Sequence, residues 1–362
     1  MKVCFTGGGT AGHLFPAFQV DSELRRRASG KEEPYTRFWI GTTSLQERTW
    51  VIQAGMPFYP VSTGKFRRYL SLRNITDIFG LLIGFFQSLT ILHREKPDIL
   101  FSKGGFASVP TVVAAWLLGI PSVTHESDAI PGLATRINAR FVQKVCLPFS
   151  EASGVLKNRY HAKLVVTGTP VRFSRSEASG QRARSRLGID GETPLLVVLG
   201  GSQGALQINQ LVWNNLEALT QEAYVFHQMG HKTFQEKTHG RYRGVAFLDE
   251  GLADLLDAAT VVVSRAGATA IGELLEMEKP MVLVPLGTSA SRGDQLLNAE
   301  RLRQKGAAVV LAGEVSDGLF VDAVVSLLRD TARRQYLQEK CASLHTCSAE
   351  RAIVDVLLDV RK

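Results

Sequence analysis

The chain of 362 residues is longer than one hydrophobic core usually supports, so its length favours two domains. Hydrophobic residues make up 45% of it and charged residues 21%, which excludes a largely disordered protein. The N-terminal sequence runs straight into an apolar strand pattern without the features of a signal peptide. The four cysteines form neither a CxxC pair nor a group with histidine, so we expect reduced thiols in a cytosolic protein and no metal site.

The positive charge is concentrated in one half of the chain. Lysine and arginine number 42 against 34 acidic residues, a net charge of +8. Residues 1–165 hold 20 basic and 11 acidic residues, whereas the remainder holds 22 and 23. A basic half predicts an anionic partner, which could be nucleic acid, an anionic membrane or a phosphorylated substrate. No nucleic-acid-binding motif is present, so we expect no nucleic acid partner.

Short apolar runs alternate with amphipathic stretches, a pattern typical of parallel βαβ units and therefore of an α/β fold. The predicted strands form two series: 2–6, 37–41, 99–102, 122–124 and 144–147, then 195–199, 224–228, 260–264, 281–284 and 307–311. Each series opens with a strand, a glycine cluster and a helix, which predicts two Rossmann-like domains. The arginine-rich segment 174–186 is predicted to be the linker, and residues 349–358 a closing amphipathic helix.

The first glycine cluster follows strand 2–6, where Gly7, Gly9 and Gly12 satisfy GxGxxG. Such a loop presents backbone N–H groups and a helix N-terminus to negative charge. A dinucleotide-binding dehydrogenase would also need a carboxylate after the second strand, and residues 38–43 contain none. A glycine cluster that merely makes a tight turn is the other alternative. His13 begins the following helix, where it could be a neutral base or simply bind its own loop.

The second glycine cluster, residues 200–204, places Ser202 where a phosphate could bind. Another apolar strand leads into residues 264–268, and Glu273 lies about two turns into the next helix. A buried carboxylate at this edge of a sheet could accept both hydroxyls of a ribose. The alternative is an ordinary surface glutamate.

Together these segments resemble the MurG family of glycosyltransferases. The resemblance rests on six blocks in order, covering residues 1 to about 310: GGGTAGH at 7–13, KGGFASVP at 103–110, HESDAIPG at 125–132, TGTPVR at 167–172, GGSQGA at 200–205 and SRAGA at 264–268. It implies a GT-B architecture, two Rossmann-like domains whose parallel sheets face a central cleft. The implied domains are an acceptor-binding and membrane-associating domain at 1–165, a UDP-sugar-binding domain at 166–340 and a closing helix at 341–362.

The same resemblance implies transfer of N-acetylglucosamine from UDP-N-acetylglucosamine to lipid-diphosphate-linked N-acetylmuramoyl-pentapeptide, in the synthesis of the peptidoglycan precursor. The implied location is peripheral, at the cytoplasmic face of the plasma (inner) membrane. No cofactor is implied. A UDP-N-acetylglucosamine 2-epimerase or another GT-B lipid glycosyltransferase shares this architecture and stays an alternative.

The resemblance also implies roles for individual residues. Glu273 would bind the uridine ribose and Leu248 would lie beside the uracil. Arg172 and Ser202 would contact the donor phosphates, with Ala268, Thr269 and Gln295 near the diphosphate and sugar. Thr10, Ala11 and Gly12 would line the donor-sugar side of the cleft, and His13 would be the base.

Two positions depart from the family pattern. Asp128 stands where many members have asparagine, and its charge could make it a rival base to His13. Asp294 precedes Gln295 where the family often has two glutamines. The sequence contains no D-x-D motif, so we predict that Arg172, backbone N–H groups and helix N-termini stabilise the leaving diphosphate without an intrinsic metal.

Residues 65–92 combine basic and apolar side chains. A helical stripe, predicted to face the core, consists of Ile75, Ile78, Phe79, Leu82, Phe86, Leu89 and Leu92. The apolar residues Leu81, Ile83, Phe85 and Ile91 lie off this stripe, and Arg67, Arg68 and Arg73 lie upstream or at its start. This combination predicts an interfacial contact with anionic lipid, and a buried helix behind a solvated basic loop is the alternative.

Overall fold

The computed structural model describes residues 1–8, 11–64, 73–156, 158–201, 204–235, 238–248, 250–287, 293–344 and 348–361. The chain forms two compact units, Met1–Arg172 with Thr346–Lys362, and Phe173–His345. Each unit is built on a largely parallel sheet, so the predicted α/β fold of two Rossmann-like domains is confirmed.

The first unit contains a seven-stranded sheet within the described residues, in the order β3-β2-β1-β4-β5-β6-β7. Its strands are β1 Lys2–Thr6, β2 Thr36–Gly41, β3 Phe58–Pro60, β4 Ile99–Ser102, β5 Ser122–His125, β6 Lys144–Leu147 and β7 Leu164–Val166. Its helices include α1 Ala11–Gly30, α2 Leu45–Gln53, α3 Arg73–Glu95, α4 Ser108–Leu117 and α5 Leu133–Asn138, and Ser150–Val155 and Asn158–Lys163 are 3-10 helices. The central strands are buried on both faces, as continuously apolar parallel strands should be.

The second unit has a sheet in the order β10-β11-β9-β8-β12-β13-β14, in which β10 and β11 pair antiparallel. Its strands are β8 Leu195–Leu199, β9 Tyr224–Gln228, β10 Thr238–His239, β11 Tyr242–Val245, β12 Val261–Ser264, β13 Met281–Leu283 and β14 Val309–Val310. Its helices include α6 Gly180–Leu187, α7 Leu206–Asn214, α8 Leu216–Glu222, α9 Leu252–Ala258, α10 Ala268–Glu276, α11 Asp294–Gln304, α12 Asp317–Arg329 and α13 Thr331–Leu344, and Arg175–Glu177 is a 3-10 helix.

The predicted linker is wrong, because residues 174–186 are part of the second unit. Ser179 caps α6, accepting a hydrogen bond from the amide of Arg182. The guanidinium of Arg182 binds both oxygens of Asp254 on α9, at 2.9 and 2.6 Å. A segment poor in apolar residues is thus held by ion pairs. The predicted boundary after residue 165 falls inside β7, which pairs with β6 of the first sheet.

The closing helix, α14 Ala349–Arg361, belongs to the first unit. It packs on α1 and on the sheet, where Ile353, Val354 and Leu357 join the core that contains Val3 and Phe5. The C-terminal segment therefore completes the N-terminal core.

The core-facing stripe predicted for α3 is confirmed at its C-terminal end, where Leu92 is buried and Leu89 packs against the core, and is wrong further upstream. Phe79, Leu82 and Phe86 were expected to face the core, but they are 60%, 52% and 62% exposed. Ile83, predicted to lie off the stripe, is 51% exposed. The side chains of Ile75 and Ile78 lie outside the described residues. Leu81 and Phe85, predicted to contact the membrane, are half-buried, and Phe85 packs against the core.

Small residues on the opposite side of α3 explain this orientation. Gly80, Gly84 and Ser88 recur every four residues, which places them on one face. A Cβ at Gly84 would collide with the carbonyl oxygen of Ser62, so only glycine permits this close approach. The helix therefore buries its small residues and turns four large apolar side chains outward.

Candidate active site

Both glycine clusters follow the first strand of their sheet, where the strand order reverses. β1 lies between β2 and β4, and β8 lies between β9 and β12. In open parallel sheets, ligands bind outside the carboxyl ends of the strands at this switch point. The loops after β1, β4 and β5 contribute to this edge of the first sheet, and those after β8 and β12 to the corresponding edge of the second.

His13 lies in the first turn of α1, half-buried, with Nδ1 3.3 Å from the carbonyl oxygen of Lys103. A carbonyl only accepts, so this contact requires the proton on Nδ1 and leaves Nε2 as the basic nitrogen of a neutral imidazole. Gly105, in the loop after β4, lies close to Gly8 and to the His13 ring. Its φ is +79°, and a Cβ at this position would lie 3.3 Å from the carbonyl oxygen of Gly8 and 3.8 Å from Nε2 of His13. The loop after β4 therefore sets the orientation of the ring.

Glu126 organises the loop that carries Asp128. Its carboxylate accepts four hydrogen bonds, from the amides of Ser127 at 2.8 Å, Asp128 at 3.2 Å and Gly132 at 2.9 Å, and from the Thr135 hydroxyl at 2.7 Å. Glu126 is buried, and Asp128 is half-buried. Sequence reasoning missed this role, although Glu126 stands inside the HESDAIPG block.

Lys103, at the end of β4, is 2% exposed and donates from Nζ to the Ser127 hydroxyl at 2.8 Å. Burial lowers the pKa of this lysine, while the nearby carboxylates of Glu126 and Asp128 act to raise it. A buried lysine at a sheet edge gives no distinct pattern in the sequence, so it too was missed.

His125 and Arg172 connect the neighbouring loops. His125 is fully buried, and its Nε2 donates to the carbonyl of Gly168 at 2.8 Å. Burial and the Lys103 cation hold the pKa of His125 well below its usual value, so it is neutral and structural. The guanidinium of Arg172 lies 5.1 Å from the centre of the Phe15 ring. Arg172 thus lies beside Phe15 in the first turns of α1.

In the second unit, Glu273 on α10 is 4% exposed, so the alternative of an ordinary surface glutamate is wrong. Gly267 precedes the helix, and Ala268 and Thr269 form its first turn, where backbone N–H groups and the helix dipole favour an anion. Arg265, immediately after β12, donates to Gln207 and to the Val284 carbonyl, both at 2.9 Å.

The remaining candidates in this unit hold neighbouring loops. Gln295 in α11 accepts from the amide of Leu286 at 3.0 Å. The amide of Leu248 donates to the Gln228 side chain at 3.1 Å, and the Leu248 side chain packs on the core. In each case a glutamine side chain therefore holds the backbone of a neighbouring loop, at Leu286 and at Leu248.

Several predicted residues cannot be compared with the structure. Thr10, Ser202, Arg67 and Arg68 lie outside the described residues, as do the side chains of Ala11 and Arg73. Gly12 follows Ala11 in the first turn of α1 and is half-buried.

Both units match family domains. Residues 3–147 match the glycosyltransferase family 28 N-terminal domain, and residues 195–354 match the glycosyltransferase family 28 C-terminal domain. The structure resembles the crystal structure of MurG from Acinetobacter baumannii with a TM-score of 0.74 over 99% of both chains, at 22% identity. The two family domains together with the fold therefore identify a GT-B glycosyltransferase.

Curated relatives narrow this class. A Treponema pallidum protein is 40% identical over 98% of this chain and 93% of its own length, and a Legionella pneumophila protein is 38% identical over 98% and 96%. Both carry the name UDP-N-acetylglucosamine--N-acetylmuramyl-(pentapeptide) pyrophosphoryl-undecaprenol N-acetylglucosamine transferase. The chain belongs to glycosyltransferase family 28 and, within it, to the MurG family.

Proposed function

We propose that this enzyme transfers N-acetylglucosamine from UDP-N-acetylglucosamine to the muramoyl sugar of a lipid-diphosphate-linked N-acetylmuramoyl-pentapeptide, with inversion at the anomeric carbon. The observation that carries the proposal is the 40% identity, over 98% of the chain, to a relative named for this reaction. The product would be the lipid-linked disaccharide precursor of peptidoglycan.

The second unit binds the donor in this proposal. Glu273 accepts hydrogen bonds from the uridine ribose, and Leu248 lies beside the uracil. The position of Glu273 supports this role, because it is buried in α10, the helix that follows β12 at the switch-point edge of the second sheet. Ser202, Ala268, Thr269 and Gln295 contact the diphosphate and sugar, where the N-terminus of α10 favours negative charge.

The first unit supplies the base and binds the acceptor. His13 takes the proton of the acceptor hydroxyl as that oxygen attacks the anomeric carbon and UDP leaves. The contact of Nδ1 with Lys103 supports Nε2 as the basic atom. A helix N-terminus disfavours an imidazolium cation, which keeps the base neutral before the reaction. Arg172 stabilises the charge that develops on the departing diphosphate, while Thr10, Ala11 and Gly12 line the sugar side.

The membrane contact is also part of the proposal, with the enzyme peripheral at the cytoplasmic face of an anionic membrane. Its support is the exposed face of α3, formed by Phe79, Leu82, Ile83 and Phe86, together with the basic residues Arg67, Arg68 and Arg73. Apolar side chains that are close in sequence to basic ones suit the boundary between headgroups and acyl chains. Leu81 and Phe85 flank this face and are half-buried. Among the helices of the described residues, none is long and apolar enough to cross a membrane.

A transfer assay tests the function directly. The protein is incubated with labelled UDP-N-acetylglucosamine and a lipid-diphosphate muramoyl-pentapeptide, and label in the lipid fraction is the expected result. Epimerisation of the donor without transfer would instead favour the 2-epimerase alternative. If the folded protein catalyses neither reaction, both functions are refuted.

A further inference from the structure

Lys103 is a buried cation that the proposed chemistry does not use. Its ammonium donates to the neutral hydroxyl of Ser127, itself buried. Replacing buried charges by well-packed apolar residues is often neutral or even stabilising. Stability alone therefore gives no reason for a lysine at this position.

The charges around Lys103 come from the loop after β5. Glu126 and Asp128 both attract the ammonium. The oxygens of Glu126 are committed to four hydrogen bonds within their own loop. Asp128, in contrast, is the position where the MurG resemblance leads us to expect an uncharged asparagine, and it adds a second negative charge to the same loop.

The backbone of Lys103 contacts the other loop. Its carbonyl oxygen lies 3.3 Å from Nδ1 of His13. The next two residues, Gly104 and Gly105, have φ of +77° and +79°, and this turn brings Gly105 against Gly8 and Nε2 of His13. One residue thus contacts the His13 loop through its carbonyl and the Asp128 loop through its ammonium.

We propose that Lys103 is a positioning residue for sugar transfer, holding the His13 ring with its carbonyl and balancing the negative charge of Asp128 with its ammonium. The inference rests on the proposed role of His13 as the base. Without the cation, two carboxylates on one short loop repel each other and shift the segment beside His13. Removing the charge of Asp128 as well relieves that repulsion. Lys103 and Asp128 therefore form a compensating pair.

The test is a double-mutant cycle of Lys103→Met and Asp128→Asn in the transfer assay. Lys103→Met should lower kcat by about 10- to 100-fold while the donor KM stays within about two-fold, since the altered loops position the base rather than bind UDP. Asp128→Asn should cost no more than about three-fold, because an uncharged asparagine is the residue that the MurG resemblance leads us to expect at this position. The kcat of the double variant should be at least about five-fold higher than that of Lys103→Met. A recovery of this kind is the sign of coupling expected for a charge pair.

Lys279→Met is the matched control. Lys279 is also buried, but its Nζ donates to the carbonyls of Asp257 and Ala259 in the second unit. Thermal melting of every variant reports any loss of folded protein. If Lys103→Met lowers kcat no more than Lys279→Met, or if Asp128→Asn gives no recovery, the proposal is overturned.

Ser127→Ala keeps the test decisive if Lys103→Met does not fold. It removes the acceptor of the Nζ hydrogen bond and leaves the charges in place. A fall in kcat of about three- to ten-fold at unchanged donor KM supports the proposal, and an unchanged kcat overturns it. A wild-type protein that transfers no sugar would refute the proposed function itself, whereas normal transfer by Lys103→Met refutes only the role of Lys103.

Discussion

Glu273→Ala tests the assignment of the donor site most directly. Glu273 is 4% exposed in α10, so bulk water has little access to its carboxylate. Hydrogen bonds to a charged group contribute about 1.5–3 kcal/mol each. The net loss in binding free energy is smaller, because water can hydrate the ribose hydroxyls in the alanine variant. We therefore expect a loss of about 1–3 kcal/mol in the binding of UDP-N-acetylglucosamine, a rise in Kd of about 5- to 150-fold.

Isothermal titration calorimetry with UDP and with UDP-N-acetylglucosamine measures this change. Both ligands contain the ribose, so both should weaken equally if Glu273 binds that part of the donor. Glu276→Ala is the matched control, because Glu276 lies in the same helix and accepts from the backbone amide of Arg175. An unchanged donor Kd for Glu273→Ala, in a variant that melts like the wild type, would refute the ribose assignment.

Three further predictions concern the base, the membrane and pH. His13→Ala should lower kcat by about 10² to 10⁴ with little change in donor affinity, and a severe Asp128→Asn defect beside a mild His13→Ala one would reverse the assignment. Replacing Arg67, Arg68 and Arg73 by glutamine should weaken binding to anionic vesicles at low salt, measured by sedimentation, by about 1 kcal/mol per residue, and should leave UDP binding unaffected. A triple variant that sediments with the vesicles as the wild type does would contradict the proposed contact. Burial lowers the pKa of His227 to about 3, so between pH 6.5 and 3 the unfolded chain binds a proton that the folded one does not, and stability falls as the pH falls. Denaturant unfolding at pH 7 and pH 5 should show a loss about 2 kcal/mol larger for wild type than for His227→Gln, and equal losses would contradict the shift.

The strands that carry the site could be predicted from the sequence. Residues 2–6, 99–102, 144–147, 195–199 and 224–228 were predicted with the observed bounds, because strands buried on both faces are continuously apolar. The short strands Phe58–Pro60 and Leu164–Val166 at the two edges of the first sheet were missed. Each pairs on one side only, so neither needs a long apolar run.

The buried face of α3 depends on tertiary packing and could not be predicted from the periodicity of its apolar residues. Apolar residues occur on more than one face of this helix, so a hydrophobic stripe alone did not identify the buried side. The close approach of residues 62–64 to Gly80 and Gly84 selects the face with small residues, and Phe79, Leu82, Ile83 and Phe86 are exposed as a consequence. The regular spacing of Gly80, Gly84 and Ser88 was the signal in the sequence that could have shown this.

The chemical types of the candidate residues could be predicted from the sequence, because each of the six ordered motifs keeps its glycines, acids and bases within a few residues of one another. The sequence could not show which residues from different motifs meet. Lys103 and Ser127 are 24 positions apart, and His13 and Lys103 are 90 apart, yet both pairs are in contact. Their contact follows from the parallel order of β1, β4 and β5, which brings the ends of distant strands to one edge. Pairing between strands is a long-range property of the folded chain, and in the first unit it brings the motifs after β1, β4 and β5 together at one edge of the sheet.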